Sequence, residues 1–251
     1  MTSGDEAMQT KRFAVIGHKG RMGQAIADAI GDAGHEFCVG VDRGGDPEPL
    51  LCQCDVAVDF SAPDGLEANL KAAGKAGIPI LIGTTGLEED HFALIEEAAK
   101  TIPVLQTGNT SLGITLLAHL VGEAAARLGP EWDIEVLEMH HRMKVDAPSG
   151  TAKLLGEAAA DARGIALSDS MDSGRHGFNG KRREGTIGFA TLRGGTVAGE
   201  HSVIFAGEQE RITLSHSAEN RAIFARGAVK GALWLVGREP GRYRMEDVLG
   251  L

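Results

Sequence analysis

The hydrophobic positions in the first half of the chain form short runs separated by amphipathic stretches. The runs span residues 13–16, 37–41, 56–60, 78–82 and 103–106. Short apolar runs bounded by Gly, Pro, Asn or Asp are typical of buried strands. The stretches 24–30, 64–76 and 88–100 carry helical patterns. Strands that alternate with helices predict a doubly wound parallel sheet.

The pattern changes after residue 111. A long apolar-rich helix is predicted over 112–128, and a short strand that begins at Ile134 is followed by a helix from Ser149-Gly150 to about Ala162. Three later runs (186–192, 200–205 and 210–215) are separated by short glycine turns and predict an antiparallel sheet. The polar segment 168–184 predicts a long mobile loop, which in an enzyme serves as a lid. A helix over 224–236 closes the fold.

Composition narrows the class of partner. The hydrophobic content of 43% and charged content of 24% are typical of a globular protein, and the net charge of −10 argues against general nucleic-acid binding. The sparse cysteines Cys38, Cys52 and Cys54 indicate reduced thiols and no metal site. No run of about 18 apolar residues predicts a membrane span. The polar, acidic segment 1–10 is expected to be a loose tail, and a cytoplasmic location follows from these features.

A glycine-rich turn follows the first strand. The residues Gly17-His-Lys19-Gly20-Arg21-Met22-Gly23 stand between this strand and a helical run, which is the context of a dinucleotide-binding turn. Lys19 occupies the place of the usual middle glycine. A tight turn without a ligand is the alternative.

Asp42 and Arg43 end the second strand, about 20 residues beyond this turn. An acidic residue there binds the ribose diol of NADH, whereas an arginine binds the 2′-phosphate of NADPH. We therefore expect both NADH and NADPH to be used. A solvated turn is the alternative.

Small polar residues follow later strands of the same sheet. Gly83-Thr84-Thr85-Gly86 comes after the fourth strand and Thr107-Gly108-Asn109 after the fifth. Parallel sheets bind ligands at this carboxyl edge, so these residues are candidate contacts of the nicotinamide and its ribose. Each loop alone is more often only a turn.

Candidate chemistry is concentrated at the end of the strand that begins at Ile134. His140, His141, Arg142 and Lys144 bring four potential cations together, and Ser149-Gly150-Thr151 opens the next helix. Clustered cations are costly to bury unless an anion balances them, and the free N–H groups at a helix start bind carboxylates. The pattern predicts a pocket for a small, multiply anionic molecule with a proton donor. Adjacent strand residues point to opposite faces, so the alternative is that only one histidine faces the pocket.

These motifs resemble the 4-hydroxy-tetrahydrodipicolinate (dihydrodipicolinate) reductase family. The densest match is Glu138-x-His140-His141-Arg142-x-Lys144-x-Asp146-Ala-Pro-Ser149-Gly150-Thr151-Ala152, supported by the glycine turn, 59–63, 83–86, 185–190 and 199–201. The resemblance implies a Rossmann-type α/β domain over 1–111, completed by 220–251. It also implies an α+β substrate domain over 112–219 with an open mixed sheet that builds a homotetramer.

The resemblance also implies an activity and residue roles. The activity is NAD(P)H-dependent reduction of a cyclic imine dicarboxylate, by hydride at ring C4 and a proton from the site, in the diaminopimelate route to lysine. His140 and Lys144 would be catalytic, and His141, Lys144, Ser149, Gly150 and Thr151 would bind substrate. The cofactor residues would be Gly17, Lys19, Gly20, Arg21, Met22, Asp42, Arg43, Gly83, Thr84, Thr85, Thr107 and Asn109. The alternatives are another nicotinamide-dependent imine oxidoreductase and a non-catalytic NAD(P)H sensor.

Overall fold

The computed structural model describes residues 9–251, so most of the tail predicted at the N-terminus lies outside it. The chain divides into two compact units: one comprises the chain through Ser111 together with Ala222–Leu251, and the other is Leu112–Arg221. No helix within residues 9–251 has both the length and the hydrophobicity needed to cross a membrane.

The first unit is built on a parallel sheet of six strands with helices around it. Its strands are β1 (Arg12–Ile16), β2 (Glu36–Val41), β3 (Val56–Asp59), β4 (Ile80–Ile82), β5 (Pro103–Gln106) and β11 (Gly241–Tyr243). Its helices are α1 (Arg21–Asp32), α2 (Glu48–Leu51), α3 (Leu66–Ala76), α4 (Glu89–Ala99), α8 (Ala222–Leu235) and α9 (Met245–Leu249). The strand order is β11-β5-β4-β3-β1-β2. This order confirms the doubly wound sheet. Successive strands are added on one side of β1 and then on the other, and such sheets bind ligands at this switch point.

The C-terminal segment completes this unit. Helix α8 packs on α1 and on β3, β4 and β5, and β11 pairs in parallel with β5. Gly227 lets α8 approach closely, because a Cβ there would overlap the carbonyl oxygen of Thr110. The sequence patterns did not predict β11 and α9, which are too short for a periodic signal.

The second unit packs two long helices on one face of a mixed sheet. Its helices are α5 (Leu112–Arg127), α6 (Gly150–Ala162) and the short α7 (Leu167–Ser170), and its strands are β6 (Asp133–His140), β7 (Met171–Asp172), β8 (Ile187–Arg193), β9 (Gly199–Ala206) and β10 (Arg211–Ala218). The strand order is β10-β9-β6-β8-β7.

The mixed sheet implied by the family resemblance is confirmed. The antiparallel sheet predicted from the last three runs is present only for β9 and β10. β9 and β10 do pair antiparallel, but β6 lies between β8 and β9 and pairs in parallel with β8. A strand pattern shows which face is buried and not which strand is the partner.

The two faces of this sheet differ. One face packs against α5 and α6 around Ile134, Val136, Val203 and Phe205, all buried. The other face is open and carries Leu137, Met139, Leu192 and Ile204, which range from half-buried to exposed.

The segment predicted as a loop contains α7 and β7 and is tied to the sheet near its end. Arg182 donates hydrogen bonds to Asp133 (2.7 Å) and Glu135 (2.8 Å) of β6 and to the backbone carbonyl of Ile134 (2.9 Å). A lid motion of this segment stays a prediction.

Candidate active site

The glycine turn of the first unit has the geometry that close approach of a ligand requires. Gly17 has φ +82° and donates its N–H to the Val41 carbonyl (2.7 Å), and Gly20 donates to the Gly17 carbonyl (3.0 Å). A Cβ at Gly23 would overlap that same Gly17 carbonyl oxygen. The turn therefore admits only glycine at Gly17 and Gly23, and helix α1 begins directly after it.

Asp42 is held at the end of β2 by this turn. Its carboxylate accepts the Lys19 N–H (2.9 Å) and contacts Nδ1 of His18 (3.2 Å). Burial acts to raise the pKa of Asp42, but the hydrogen bonds from Lys19 and His18 outweigh it and hold the pKa below its ordinary value. Asp42 is thus a carboxylate at neutral pH. His18, which the sequence analysis did not select, stacks on Phe37 with ring centroids 5.2 Å apart.

A cavity of about 680 Å³ lies beside the turn and the ends of β1, β2 and β3. Among the residues predicted to bind cofactor, it is lined by Gly17, Gly20, Asp42 and Arg43. Arg43 is exposed and lies 3.9 Å from the equally exposed Asp64. The glycine cradle, the fixed carboxylate and the cavity suit the adenosine half of a dinucleotide.

Other residues predicted to bind cofactor contact neighbouring groups of the protein. Gly83 faces the ring of Phe60, and the hydroxyl of the buried Thr84 donates to the Asp59 carboxylate (3.2 Å). The Thr107 hydroxyl donates to the Asn109 carbonyl (2.8 Å). The remaining members of the set are Lys19, Arg21 and Thr85, which are exposed, and Met22, which is partly buried.

Strand register brings polar residues into rows on the helix-covered face of the second sheet. Glu138 of β6 pairs with Thr191 of β8 and with His201 of β9, and His201 pairs with His216 of β10. His140, two residues further along β6, pairs with Arg193. Partners in register lie side by side on the same face, so the sheet gathers residues distant in sequence.

Glu138 is the centre of this arrangement and is buried. Its carboxylate accepts two hydrogen bonds from the Arg193 guanidinium (2.7 and 2.8 Å), one from the Ser149 N–H (3.0 Å) and one from the Thr191 hydroxyl (3.3 Å). Burial acts to raise the pKa of Glu138, but Arg193, His140 and the Ser149 N–H outweigh it and lower the pKa to about 2.

His140 is buried against this carboxylate, with Nδ1 2.6 Å from Oε2 of Glu138. Burial lowers its pKa; Glu138 acts to raise the pKa, while Lys144 and Arg193 lower it further, so the net direction is downward. The ring is therefore neutral at pH 7. A Cβ at Gly199 would lie 3.1 Å from Nε2 of His140, so this glycine leaves room for the ring.

The start of α6 joins the same network through Ser149. Its hydroxyl oxygen accepts the Ala152 N–H (3.1 Å), which caps the helix, and lies 3.1 Å from Nε2 of His201. Burial and the neighbouring His140 lower the pKa of His201 to about 4. Nδ1 of His201 is buried and has no hydrogen-bond partner among residues 9–251. The N–H and the hydroxyl of Ser149 are both engaged within the protein, whereas Gly150 is exposed at the first position of the helix.

The remaining substrate candidates lie just after β6. His141 donates its backbone N–H to the Val197 carbonyl (2.8 Å), and Arg221 donates to Nε2 of its ring (3.0 Å). Lys144 forms an ion pair with Asp146 (2.8 Å) and is largely shielded from solvent. Arg142 points into solvent as an exposed residue. Arg221, which contacts His141, and Lys144 are cations that can balance an anionic ligand.

Two family models together cover nearly all of the described chain. Residues 11–110 match the model described as "Dihydrodipicolinate reductase, N-terminus", and residues 113–249 match the one described as "Dihydrodipicolinate reductase, C-terminus". The chain belongs to the dihydrodipicolinate reductase family.

Individual relatives agree with this membership in the dihydrodipicolinate reductase family. The 4-hydroxy-tetrahydrodipicolinate reductase of Zymomonas mobilis is 52% identical over 96% of this chain and 97% of its own length. The 4-hydroxy-tetrahydrodipicolinate reductase 1 of Mesorhizobium japonicum is 50% identical over 95% and 97%. A solved structure, the dipicolinate-bound dihydrodipicolinate reductase from Paenisporosarcina sp. TG-14, has the same fold, with a TM-score of 0.76, 22% identity and coverage of 94% and 98%.

For this dihydrodipicolinate reductase family member, sequence reasoning missed Glu138, Arg193, His201 and Arg221 as site residues. Strand alternation could have indicated Glu138, because Glu138 and His140 are two residues apart on one strand and therefore share a face. Arg193 and His201 reach Glu138 and Ser149 across more than 50 residues, and no local pattern reports such pairings.

Proposed function

We propose that the protein reduces 4-hydroxy-tetrahydrodipicolinate, after loss of water, to tetrahydrodipicolinate with NADH or NADPH, in the diaminopimelate route to lysine. One observation carries the proposal: neutral His140 is linked through Glu138 to Ser149 at the start of α6, and Lys144 and Arg221 are cations in the same unit, Arg221 in contact with His141. Full-length similarity to reductases of that name supports the substrate.

The residues of the first unit fit a nicotinamide dinucleotide. Gly17 and Gly23 leave the backbone close to a pyrophosphate, and Asp42 accepts hydrogen bonds from ribose hydroxyls. When bound, the nucleotide supplies hydride to ring C4 of the substrate. The proposed contacts beyond the cavity are Lys19, Arg21, Met22, Gly83, Thr84, Thr85, Thr107 and Asn109.

Use of both nucleotides follows from the charges at the end of β2. The Asp42 carboxylate favours the free ribose diol of NADH. Arg43, Arg21 and Lys19 are exposed cations that can balance the 2′-phosphate of NADPH. Because the Asp42 carboxylate and these cations lie at the same end of the sheet, both NADH and NADPH can bind.

In the second unit the chain binds the two carboxylates and provides the proton. Lys144, His141 and the helix start at Gly150-Thr151 hold the carboxylates and orient the ring. Ser149, predicted as a third contact of the helix start, instead caps this helix and donates its N–H to Glu138. Lys144 and His140 are the acid–base groups: the Lys144 ammonium donates the proton to C3, and neutral His140 can donate only after it has taken up a proton at Nε2. A positioned proton donor of this kind contributes about 10²- to 10⁴-fold to the rate.

We also propose that the open sheet face associates with further copies of the chain in a homotetramer. Leu137, Met139, Leu192 and Ile204 form an apolar strip across three strands, and such strips mark association surfaces. Sedimentation analysis measures this assembly directly.

The activity is tested by oxidation of NADH and NADPH with substrate formed in situ by its synthase. Wild type is expected to turn over with both nucleotides, and Lys144→Ala is expected to lose at least about 10²-fold in kcat with nucleotide binding retained. The matched control is Lys153→Ala, since Lys153 is exposed on α6. Near-normal turnover of Lys144→Ala would refute the assigned role. Nucleotide binding without any turnover by wild type would favour the sensor or another imine substrate.

A further inference from the structure

The buried pair Glu138–Arg193 contacts the proposed acid–base histidine, yet the proposed reaction gives it no task. We propose that Glu138, held by Arg193, is a positioning residue that fixes the tautomer and the ring orientation of His140. This inference rests on the proposed function, because it assumes that His140 acts on the substrate.

The hydrogen bonds around Glu138 determine which nitrogen of His140 carries the proton. Four donor contacts reach the carboxylate from Arg193, Ser149 and Thr191, and the shortest contact of all, 2.6 Å, is to Nδ1 of His140. A carboxylate can only accept, so Nδ1 of His140 must donate. The neutral ring then has its lone pair on Nε2, which faces Gly199.

Arg193 balances the charge of this carboxylate. The guanidinium binds both oxygens of Glu138 and also donates to the Asp146 carbonyl (2.6 Å), which anchors it beside the loop that carries Lys144. Without this balance, a carboxylate in contact with a buried imidazole would favour the charged imidazolium. The pair therefore orients the ring and keeps it neutral.

The groups that face His140 set the direction in which its titration should move. They are Glu138 on β6, Arg193 on β8, His201 on β9 and Lys144 in the loop after β6; α6 contributes only the uncharged Ser149. Glu138→Gln removes the one anion and leaves two cations, so the pKa of His140 should fall further. Arg193→Gln removes a cation and should raise it.

The test is NMR of protein labelled with ¹⁵N-histidine, with the His140 signals assigned from His140→Gln. Wild type is expected to show the Nδ1–H tautomer, and Glu138→Gln is expected to lose that preference and to shift the titration downward. Glu135→Gln is the matched control, since Glu135 is on the same strand and pairs with Arg182 on the opposite face. A merely structural role predicts loosening of the site and an upward move toward the ordinary pKa of 6.5.

Kinetics give an independent readout. Glu138→Gln is expected to lower kcat by about 10²-fold with little change in nucleotide affinity, and to have little further effect in a His140→Gln background. An equal loss in both backgrounds would overturn the proposal, as would an Nε2–H tautomer of His140 in wild type. Absence of turnover by wild type would refute the proposed function, whereas the NMR result would still decide the positioning.

Discussion

Burial of His201 in neutral form should make the second unit lose stability in mild acid. The pKa of this histidine is about 4 in the folded chain and 6.5 when exposed. Between these values the unfolded chain binds a proton that the folded chain does not, so unfolding becomes easier as the pH falls from 6.5 toward 4. The linkage relation gives a stability loss from His201 of about 2 kcal/mol at pH 5 and only about 0.2 kcal/mol at pH 7.

The two tryptophans allow this loss to be measured in the unit that carries His201. Trp132 belongs to the second unit and Trp234 to the first, so Trp234→Phe leaves a single reporter of the second unit. Urea unfolding followed by Trp132 fluorescence at several pH values between 7 and 5 gives the free energy of unfolding. In this background, His201→Gln should flatten the pH dependence by about 2 kcal/mol over that range.

Two features separate this effect from other causes. The contribution of Glu138, whose pKa is lowered to about 2, is present above pH 4.5 and is lost only as the pH falls below that value. Ser202→Ala on the open face of β9 is the control, because it removes side-chain contacts and no titrating group. Parallel curves for wild type and His201→Gln between pH 7 and 5 would refute the reasoning.

Three further predictions concern the first unit. Asp42→Ala should raise the KM for NADH by about tenfold or more, because hydrogen bonds to a charged acceptor contribute about 1.5–3 kcal/mol. The KM for NADPH should stay level or fall. Steady-state kinetics with both nucleotides measures the two KM values, and an equal rise for both would contradict the prediction. Gly227→Ala should destabilise the unit by about 1–3 kcal/mol, because the new Cβ overlaps the Thr110 carbonyl. Gly74→Ala in α3, where a Cβ meets only the Thr101 hydroxyl at 4.0 Å, should instead stabilise it by about 0.5–1 kcal/mol. Both variants are measured by Trp234 fluorescence in a Trp132→Phe background, and equal effects would contradict the packing argument.

Local patterns were sufficient to predict most of the first unit. The strand that ends at Ile16 and the glycine turn after it were predicted from adjacent residues, and the structure has them as β1 and the entry to α1. Strand and helix periods are local properties, so they survive in a single sequence. The short elements α2, β11 and α9 were missed because each lacks enough residues to show a period.

The second unit depended more on pairings between distant residues. The helix predicted from Ser149-Gly150 is present as α6, which begins at Gly150 and is capped by the Ser149 hydroxyl. The place of β6 between β8 and β9 could not be predicted, because the alternation of each strand is satisfied equally by several partners. The same limitation concealed the contacts of Glu138 with Arg193 and of Ser149 with His201.

The structure also changes the charge assigned to the candidate site. Sequence reasoning counted His140 as a potential cation, but burial keeps it neutral, and Nε2 of His141 accepts from Arg221. We therefore propose Lys144 and Arg221 as the cations that balance a dicarboxylate. Nδ1 of the buried His201 has no hydrogen-bond partner among the described residues. Burying such a polar atom lowers the free energy of unfolding relative to an apolar side chain in the same place. We infer that the fold keeps the His140 imidazole neutral and in one orientation through the Glu138–Arg193 pair. A neutral ring with its lone pair on Nε2 is the form that accepts a proton near neutral pH.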